Sequence, residues 1–232
     1  MNVQESRHLH YLNCAPLFKG LDEPQRLLLA RAARWRQFAR GEFIFLQGDP
    51  ASTAYVVCTG WVVIALNSAD GRELAIHEMR DGDLFGENAL IANKPRSASA
   101  LARATTDVLE VPKAAFLAVL AREPDLVRRL LEISVARLGE ANARESALAF
   151  LNAPARVARI LREMDEQDHN TADKGYVTLS QEELAVRTGL TRQTVARFLG
   201  QWRRNGWLLT GRGRIMLLNR QALRGVEEDG DL

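Results

Sequence analysis

Two groups of residues in this chain have the types and spacing for recognition chemistry. The first lies in LFGENALIANKPRSASA (84–100), where Gly86-Glu87 is followed by Arg96, itself flanked by Pro95 and Ser97. Arginine supplies a planar pair of charge-assisted donors that suits a phosphate, and Ser97 adds a neutral donor. Glu87 is an acceptor suited to a sugar hydroxyl, and the backbone N–H groups around Gly86 can assist. Together these suit a phosphate anion joined to a sugar. The same residues also admit a structural Glu–Arg ion pair beside a turn.

The second group lies between Thr178 and Asn219. Ser180 and Glu183 form an S-x-x-E capping box that opens a helix, and Gly189 suits the positive φ that ends it. Thr191 caps a second helix with Val195, Phe198 and Leu199 on its inner face. A small residue at Ala185, glycine four later and apolar residues at 190, 195 and 198 make the helix-turn-helix pattern. Asn205-Gly206 ends the second helix, and WLLTGRGRIMLL reads as a β-hairpin wing with Gly211-Arg212-Gly213 at its tip. From Arg187 to Arg224 there are nine arginines and no Asp or Glu. A charge run is often only a solvated face, but this one falls on the elements that a winged helix lays on a duplex.

Double-stranded DNA is therefore the expected partner. Thr191, Arg192, Gln193, Thr194 and Arg197 stand at the start of the recognition helix, where base edges are reached. Arginine can bond guanine O6 and N7 together, and glutamine can bond adenine N6 and N7. Arg203, Arg204, Arg212 and Arg214 are expected to hold phosphates and add affinity rather than sequence choice.

These groups need a frame, and 232 residues suffice for two domains. Hydrophobic residues make up 47% and charged residues 26%, which is enough apolar mass for a core. Between 41 and 86, six glycines separate FIFLQ, AYVVCT, WVVIAL and ELAIHEM, with a hairpin signal at Asp70-Gly71. This predicts an antiparallel barrel or jelly roll. Ahead of it, LFKGLDEPQRLLLARAARWRQF reads as a helical cap with Asp22 as N-cap, and His8 and His10 fall in an unanchored tail. Lys113 to Leu120 reads as a short helix, and Pro124 starts a long one reaching Phe150.

On that long helix Val127, Leu131, Ser134, Leu138, Ala141, Glu145 and Leu148 form a coiled-coil-like seam. Leu126, Leu130 and Ile133 form a second stripe, able to pack on the barrel. One helix serving both its own barrel and a second copy predicts a parallel homodimer. Asn152-Ala153-Pro154 breaks the helix and restarts another to about Glu166, and residues 167–175 read as a loop. Glu163, Asp165, Glu166 and Asp168 could meet RNA polymerase or form a solvated helix end.

No run of 18 apolar residues exists and the N-terminus lacks a signal-peptide core, which predicts a cytoplasmic protein with no membrane contact. Cys14 and Cys58 fit a reducing compartment and are too few for an iron–sulfur cluster without other ligands. A cupin-type metal enzyme would need several histidines in the barrel, where only His77 lies. No metal and no catalytic residue is expected. A haem or redox sensor using His77 or Cys58 stays open.

A roll, a long helix and a C-terminal winged helix-turn-helix in that order resemble the CRP/FNR family of bacterial transcription regulators. FGENALIANKPRSASA looks like that family's phosphate-binding cassette. The resemblance implies an α+β fold with a sensor domain at 1–123, a dimerisation helix and hinge at 124–151, and a DNA-binding domain at 152–232. It implies a cyclic nucleotide, cyclic AMP first, with Glu87 on the ribose 2′-OH and Arg96 and Ser97 on the phosphate. Arg137 matches a family arginine that pairs with the cassette glutamate. RNA polymerase is an implied partner, and a palindromic operator the implied target.

Two departures stand out. Asn88 replaces an apolar residue of the cassette, and Ala141-Asn142 falls where cyclic-AMP receptors carry a Thr-Ser pair that reads adenine. Asn142 offers both donor and acceptor, so the phosphate end looks intact and the base-reading end does not. The same scaffold acting without ligand is the remaining alternative.

Overall fold

The structure, a computed structural model, describes residues 3–67, 73–169 and 176–229. Its contacts divide the chain into an N-terminal unit running to Leu138, apart from residues 68–74, and a C-terminal unit from Gly139. The expected turn at Asp70-Gly71 and residues 170–175 of the expected loop lie outside the described residues.

The N-terminal unit opens with α1 (Val3–Cys14), a turn of 3-10 helix (Pro16–Phe18) and α2 (Glu23–Ala32). The strands are β1 (Arg34–Phe38), β2 (Phe43–Phe45), β3 (Thr53–Thr59), β4 (Val62–Asn67), β5 (Glu73–Met79), β6 (Leu84–Phe85), β7 (Ser99–Ala102) and β8 (Thr106–Pro112). A short helix, α3 (Glu87–Ala92), sits between β6 and β7, and α4 (Lys113–Leu120) and α5 (Pro124–Phe150) follow β8. Two antiparallel four-stranded sheets result, ordered β1-β8-β3-β6 and β2-β7-β4-β5.

Strand β3 is apolar on both faces because it serves two cores. Ala54, Val56 and Cys58 belong to the core beside the helices, with Leu12, Leu29, Phe116, Leu126 and Leu130. Tyr55 and Val57 belong to the core between the sheets, with Phe38, Ile64, Phe85 and Val108. Period-two alternation of the side chains makes this division automatic. The second stripe of α5 is thus anchored: Leu126 and Leu130 are buried, contributing about 1.5–3 kcal/mol each.

Two expectations near the N-terminus are corrected. The first residues are not an unanchored tail, since α1 buries Leu12 and His8, and the His8 Nδ1–H donates to the Ala30 carbonyl at 2.9 Å. Nor does the helical cap include WRQF, which is strand β1. Four of the five β1 residues are exposed, so no apolar alternation marks the strand. What holds it is pairing with β8, where Arg36 Nη1 donates to Glu110 and Gln37 Nε2 to Asp107. Asp22 is the N-cap residue of α2, but its side chain makes no capping bond.

The C-terminal unit comprises α6 (Ala153–His169), α7 (Gln181–Thr188), α8 (Arg192–Arg204), β9 (Leu208–Gly211), β10 (Arg214–Leu217) and α9 (Arg220–Asp229). Helix α6 extends past the expected end at Glu166. Helix α9 was not expected at all. Asn219 caps it, accepting from the Ala222 N–H at 2.9 Å, while Leu223 and Val226 bury its inner face. Val177, outside the two wing strands, pairs with Ile215 of β10. Trp202, Phe198, Leu184, Leu161 and Leu208 fill this core. No described helix is long and apolar enough to cross a membrane.

Candidate ligand site and nucleic-acid interface

Strand β6 delivers the chain to Gly86, which caps α3 with φ +79°. That conformation favours glycine, and a Cβ there would stand 2.7 Å from Arg96 Nη1. The next residue, Glu87, begins α3 and is buried. Arg137 of α5 donates from Nη1 to Glu87 Oε1 at 2.7 Å and from Nη2 to the Leu84 carbonyl at 2.6 Å. Burial pushes the Glu87 carboxyl above its usual range, and the Arg137 cation opposes that rise. The other oxygen, Oε2, is buried with no hydrogen-bond partner, so it is an acceptor awaiting a donor.

Arg96 is buried too. Its Nη1 donates to the Gly86 carbonyl at 2.6 Å and its Nη2 to the Thr53 carbonyl at 2.7 Å, while Nε is buried without a partner. Burial pulls the guanidinium's pKa below its ordinary value. The main chain is fixed as well, with Arg96 N–H donating to Asp49 and the Gly48 N–H donating to the Arg96 carbonyl, both at 2.9 Å.

The structure thus links Gly86, Glu87, Arg96 and Arg137 through hydrogen bonds. Ser97 lies next to Arg96 but is exposed. Asn88 is exposed on α3 while Ala89 and Leu90 are buried, so a polar residue at 88 costs no packing. Asn142 is exposed on α5 and belongs to the C-terminal unit. Sequence reasoning missed Phe45, Thr53 and Tyr55, which surround the Arg96 side chain.

Cys58 points into the core beside the helices, and burial pushes its thiol up to about 12.

On α5 the seam residues Val127, Leu131, Leu138 and Leu148 are exposed, and Val135 joins them. Leu131, Val135 and Leu138 are each about 60% exposed, which is far from the usual state of large aliphatic residues on a helix.

In the C-terminal unit the expected caps are present. The Ser180 hydroxyl accepts from the Glu183 N–H, and the Glu183 carboxylate accepts from the Ser180 N–H. Gly189 has φ +66°. The Thr191 hydroxyl accepts from the Thr194 N–H at 3.2 Å, and the two hydroxyls are 2.8 Å apart. Arg192, Gln193, Arg197, Arg203, Arg204, Arg212 and Arg214 are all exposed. Arg214 stacks on Tyr176 with 4.6 Å to the ring centre, which fixes its direction.

Two arginines of the basic run do other work. Arg220 pairs with the buried Asp165, and Arg187 bonds Met164 Sδ at 2.8 Å. Asp165 is therefore not part of a solvated helix end. Glu163 and Glu166 are paired with Arg159 and Arg162; the Asp168 side chain lies outside the described residues.

Residues 35–123 match the family model of the cyclic nucleotide-binding domain, and residues 155–226 match that of the Crp-like helix-turn-helix domain. The two together define a transcription regulator with a nucleotide-type sensor, a class that is not enzymatic. The chain belongs to the CRP/FNR family. It is 31% identical over 201 residues to the cyclic AMP receptor protein of Thermus thermophilus, covering 87% of this chain and 91% of that one. It is 29% identical over 198 residues to a CRP-like cAMP-activated global transcriptional regulator of Mycobacterium tuberculosis, covering 84% and 88%. Among solved structures it resembles the c-di-GMP responsive global regulator CLP of Xanthomonas campestris, at 25% identity and a TM-score of 0.73, covering 84% and 99%.

Proposed function

We propose that this regulator is a homodimer that binds a palindromic DNA operator and is controlled by a cyclic nucleotide held at Gly86, Glu87, Arg96 and Ser97. The observation that carries the reading is a pair of unanswered groups. Glu87 has one oxygen bound to Arg137 and the other buried without a partner, while Arg96 has a buried Nε without a partner. One orphan is an acceptor for a sugar hydroxyl and the other a donor for a phosphate oxygen. A cyclic nucleotide carries both complements on one rigid frame. Ser97 adds its exposed hydroxyl.

The names of the relatives point to two ligands, cyclic AMP and cyclic di-GMP. Cyclic AMP is the first to test, since both named curated relatives carry it. Residues 1–123 would sense it, 124–151 dimerise and 152–232 read DNA, with Thr191, Arg192, Gln193, Thr194 and Arg197 at base edges and Arg203, Arg212 and Arg214 on phosphates. Control requires that the ligand bind the DNA-competent arrangement more tightly than the other. RNA polymerase is the partner through which such a regulator acts. We place no contact with it on Glu163, Asp165 or Glu166, whose carboxylates are already paired.

Calorimetry with cyclic AMP, cyclic GMP and cyclic di-GMP tests the ligand, and Arg96→Ala is expected to abolish binding with the fold intact. Equal binding by both proteins would remove the cassette from the reading. Failure of all three nucleotides to bind, with tight operator binding by the free protein, would favour a ligand-independent regulator.

A further inference from the structure

The guanidinium of Arg96 lies on an aromatic floor. Its central carbon is 4.2 Å from the centre of the Phe45 ring and 5.5 Å from that of Tyr55. Those rings are 5.7 Å apart, and Phe85 stacks on Tyr55 at 5.1 Å. Thr53 forms the polar rim, taking Nη2 on its carbonyl and donating from its hydroxyl to the Tyr55 oxygen at 2.8 Å. A Cβ at position 86 would meet Arg96 Nη1 at 2.7 Å, Tyr55 at 3.3 Å and Phe45 at 3.4 Å. Glycine, rings and guanidinium therefore form one close-packed group.

Resting on the reading that this pocket takes a phosphate-bearing nucleotide, we propose that Phe45 is a positioning residue for Arg96. Both Nη groups are committed to backbone carbonyls, and the ring face beneath fixes the plane in which the guanidinium lies. The edge that carries Nε is left for an anion, because Nε alone among the three nitrogens has no partner. A charge-assisted bond from Nε–H to a phosphate oxygen needs the guanidinium held in one plane. An arginine set in its plane beforehand pays less ordering entropy when the ligand arrives. The strand is built for this. The pairing of β2 with β7 shifts register between Phe43 and Phe45, and such an irregularity re-aims a side chain.

The test uses the full chain labelled with nitrogen-15, in wild type, in Phe45→Leu and with pentafluorophenylalanine at position 45. Leucine keeps the apolar bulk without a ring face. The fluorinated ring keeps the shape but reverses the ring quadrupole, so it covers the case in which Phe45→Leu fails to fold. The Arg96 Nε–H resonance, assigned by its loss in Arg96→Ala, is expected to be slow to exchange and shifted by the ring current in wild type. It should move to an ordinary arginine position in Phe45→Leu and exchange faster in both variants. Affinity for cyclic AMP is expected to fall about tenfold in both, and Phe45→Tyr should restore it. An unchanged Arg96 resonance and unchanged affinity in both variants would overturn the proposal. If wild type binds no cyclic nucleotide, the functional reading fails, and the Arg96 resonance alone decides the positioning claim.

Discussion

Arg137 of α5 meets Glu87 in the first turn of α3, Nη1 to Oε1, at 2.7 Å. The pair spans two elements, and its acid is buried. A carboxyl whose folded pKa is raised binds its proton more tightly when folded. It therefore favours folding at low pH and loses that contribution as pH rises from its unfolded pKa through its folded one. Glu87 is such a group, and Arg137→Ala removes the cation that opposes the rise. At neutral pH the variant is expected to lose about 3–5 kcal/mol, with a smaller loss in acid, where Glu87 takes up a proton. Urea unfolding at two pH values measures both. Equal losses at the two would show that the charge of Glu87 is not what Arg137 answers.

The α5 seam makes the oligomeric state a sharp test. Leu131, Val135 and Leu138 are exposed in the single chain, and a second copy would cover them. Leu138→Asp is expected to sediment as a monomer while keeping its secondary structure, because Leu126 and Leu130 still anchor the helix. A dimer that survives Leu138→Asp places the interface elsewhere.

In the proposed reading the start of α8 selects the operator. Two-fold symmetry predicts half-sites one helical turn apart, roughly 34–36 Å. Gln193 can donate as well as accept, so relative to glutamate it should weaken the preference for cytosine and admit adenine. Selection from random duplexes at fixed salt with wild type and Gln193→Glu is expected to yield different sequences. Identical ones would mean that residue 193 reads no base.

Arg197 and Arg212 should fail in different ways. Arg197→Ala is expected to cost about 1–3 kcal/mol on the preferred site and little on random DNA. Arg212→Ala should weaken both alike and lower the salt slope by roughly one unit. Titrations at several salt concentrations separate the two.

Asp165 fixes Arg220 at the start of α9 by two bonds, 2.6 and 3.1 Å. Asp165→Asn leaves that arginine half-answered, and α9 should then detach early, as read by hydrogen exchange. Leu223 and Val226 of the same helix pack into the core that holds Leu208 and Ile215 of the wing, so the loss should reach the wing core. Protection of α9 equal to wild type would show that its apolar face alone suffices.

How much of this was legible beforehand depends on what signal each element carries. Helix α5 was readable from Pro124 to Phe150 because its two stripes repeat. Helices α7 and α8 were readable because caps and a positive-φ glycine bracket them. Strand β1 was not, since its side chains face solvent and only its ladder to β8 defines it. The N-terminal helix hid for another reason. His8 is buried through a bond to the carbonyl of Ala30, a partner with no local signature. At the site, the charged residues Glu87, Arg96 and Arg137 were legible from spacing and resemblance. The floor beneath Arg96 was not, because Phe45 and Tyr55 read only as strand interior.

Tyr55 and Val56 are consecutive residues of β3, about 3.3 Å apart along the strand. Tyr55 is part of the seat of Arg96, and Val56 packs in the cluster that holds Leu126 and Leu130 at the root of α5. Close-packed interiors absorb little displacement. Were the proposed nucleotide to move this seat, the displacement would have no relay of side chains to cross: it would pass through a single peptide unit of β3, a push-rod reaching the root of α5.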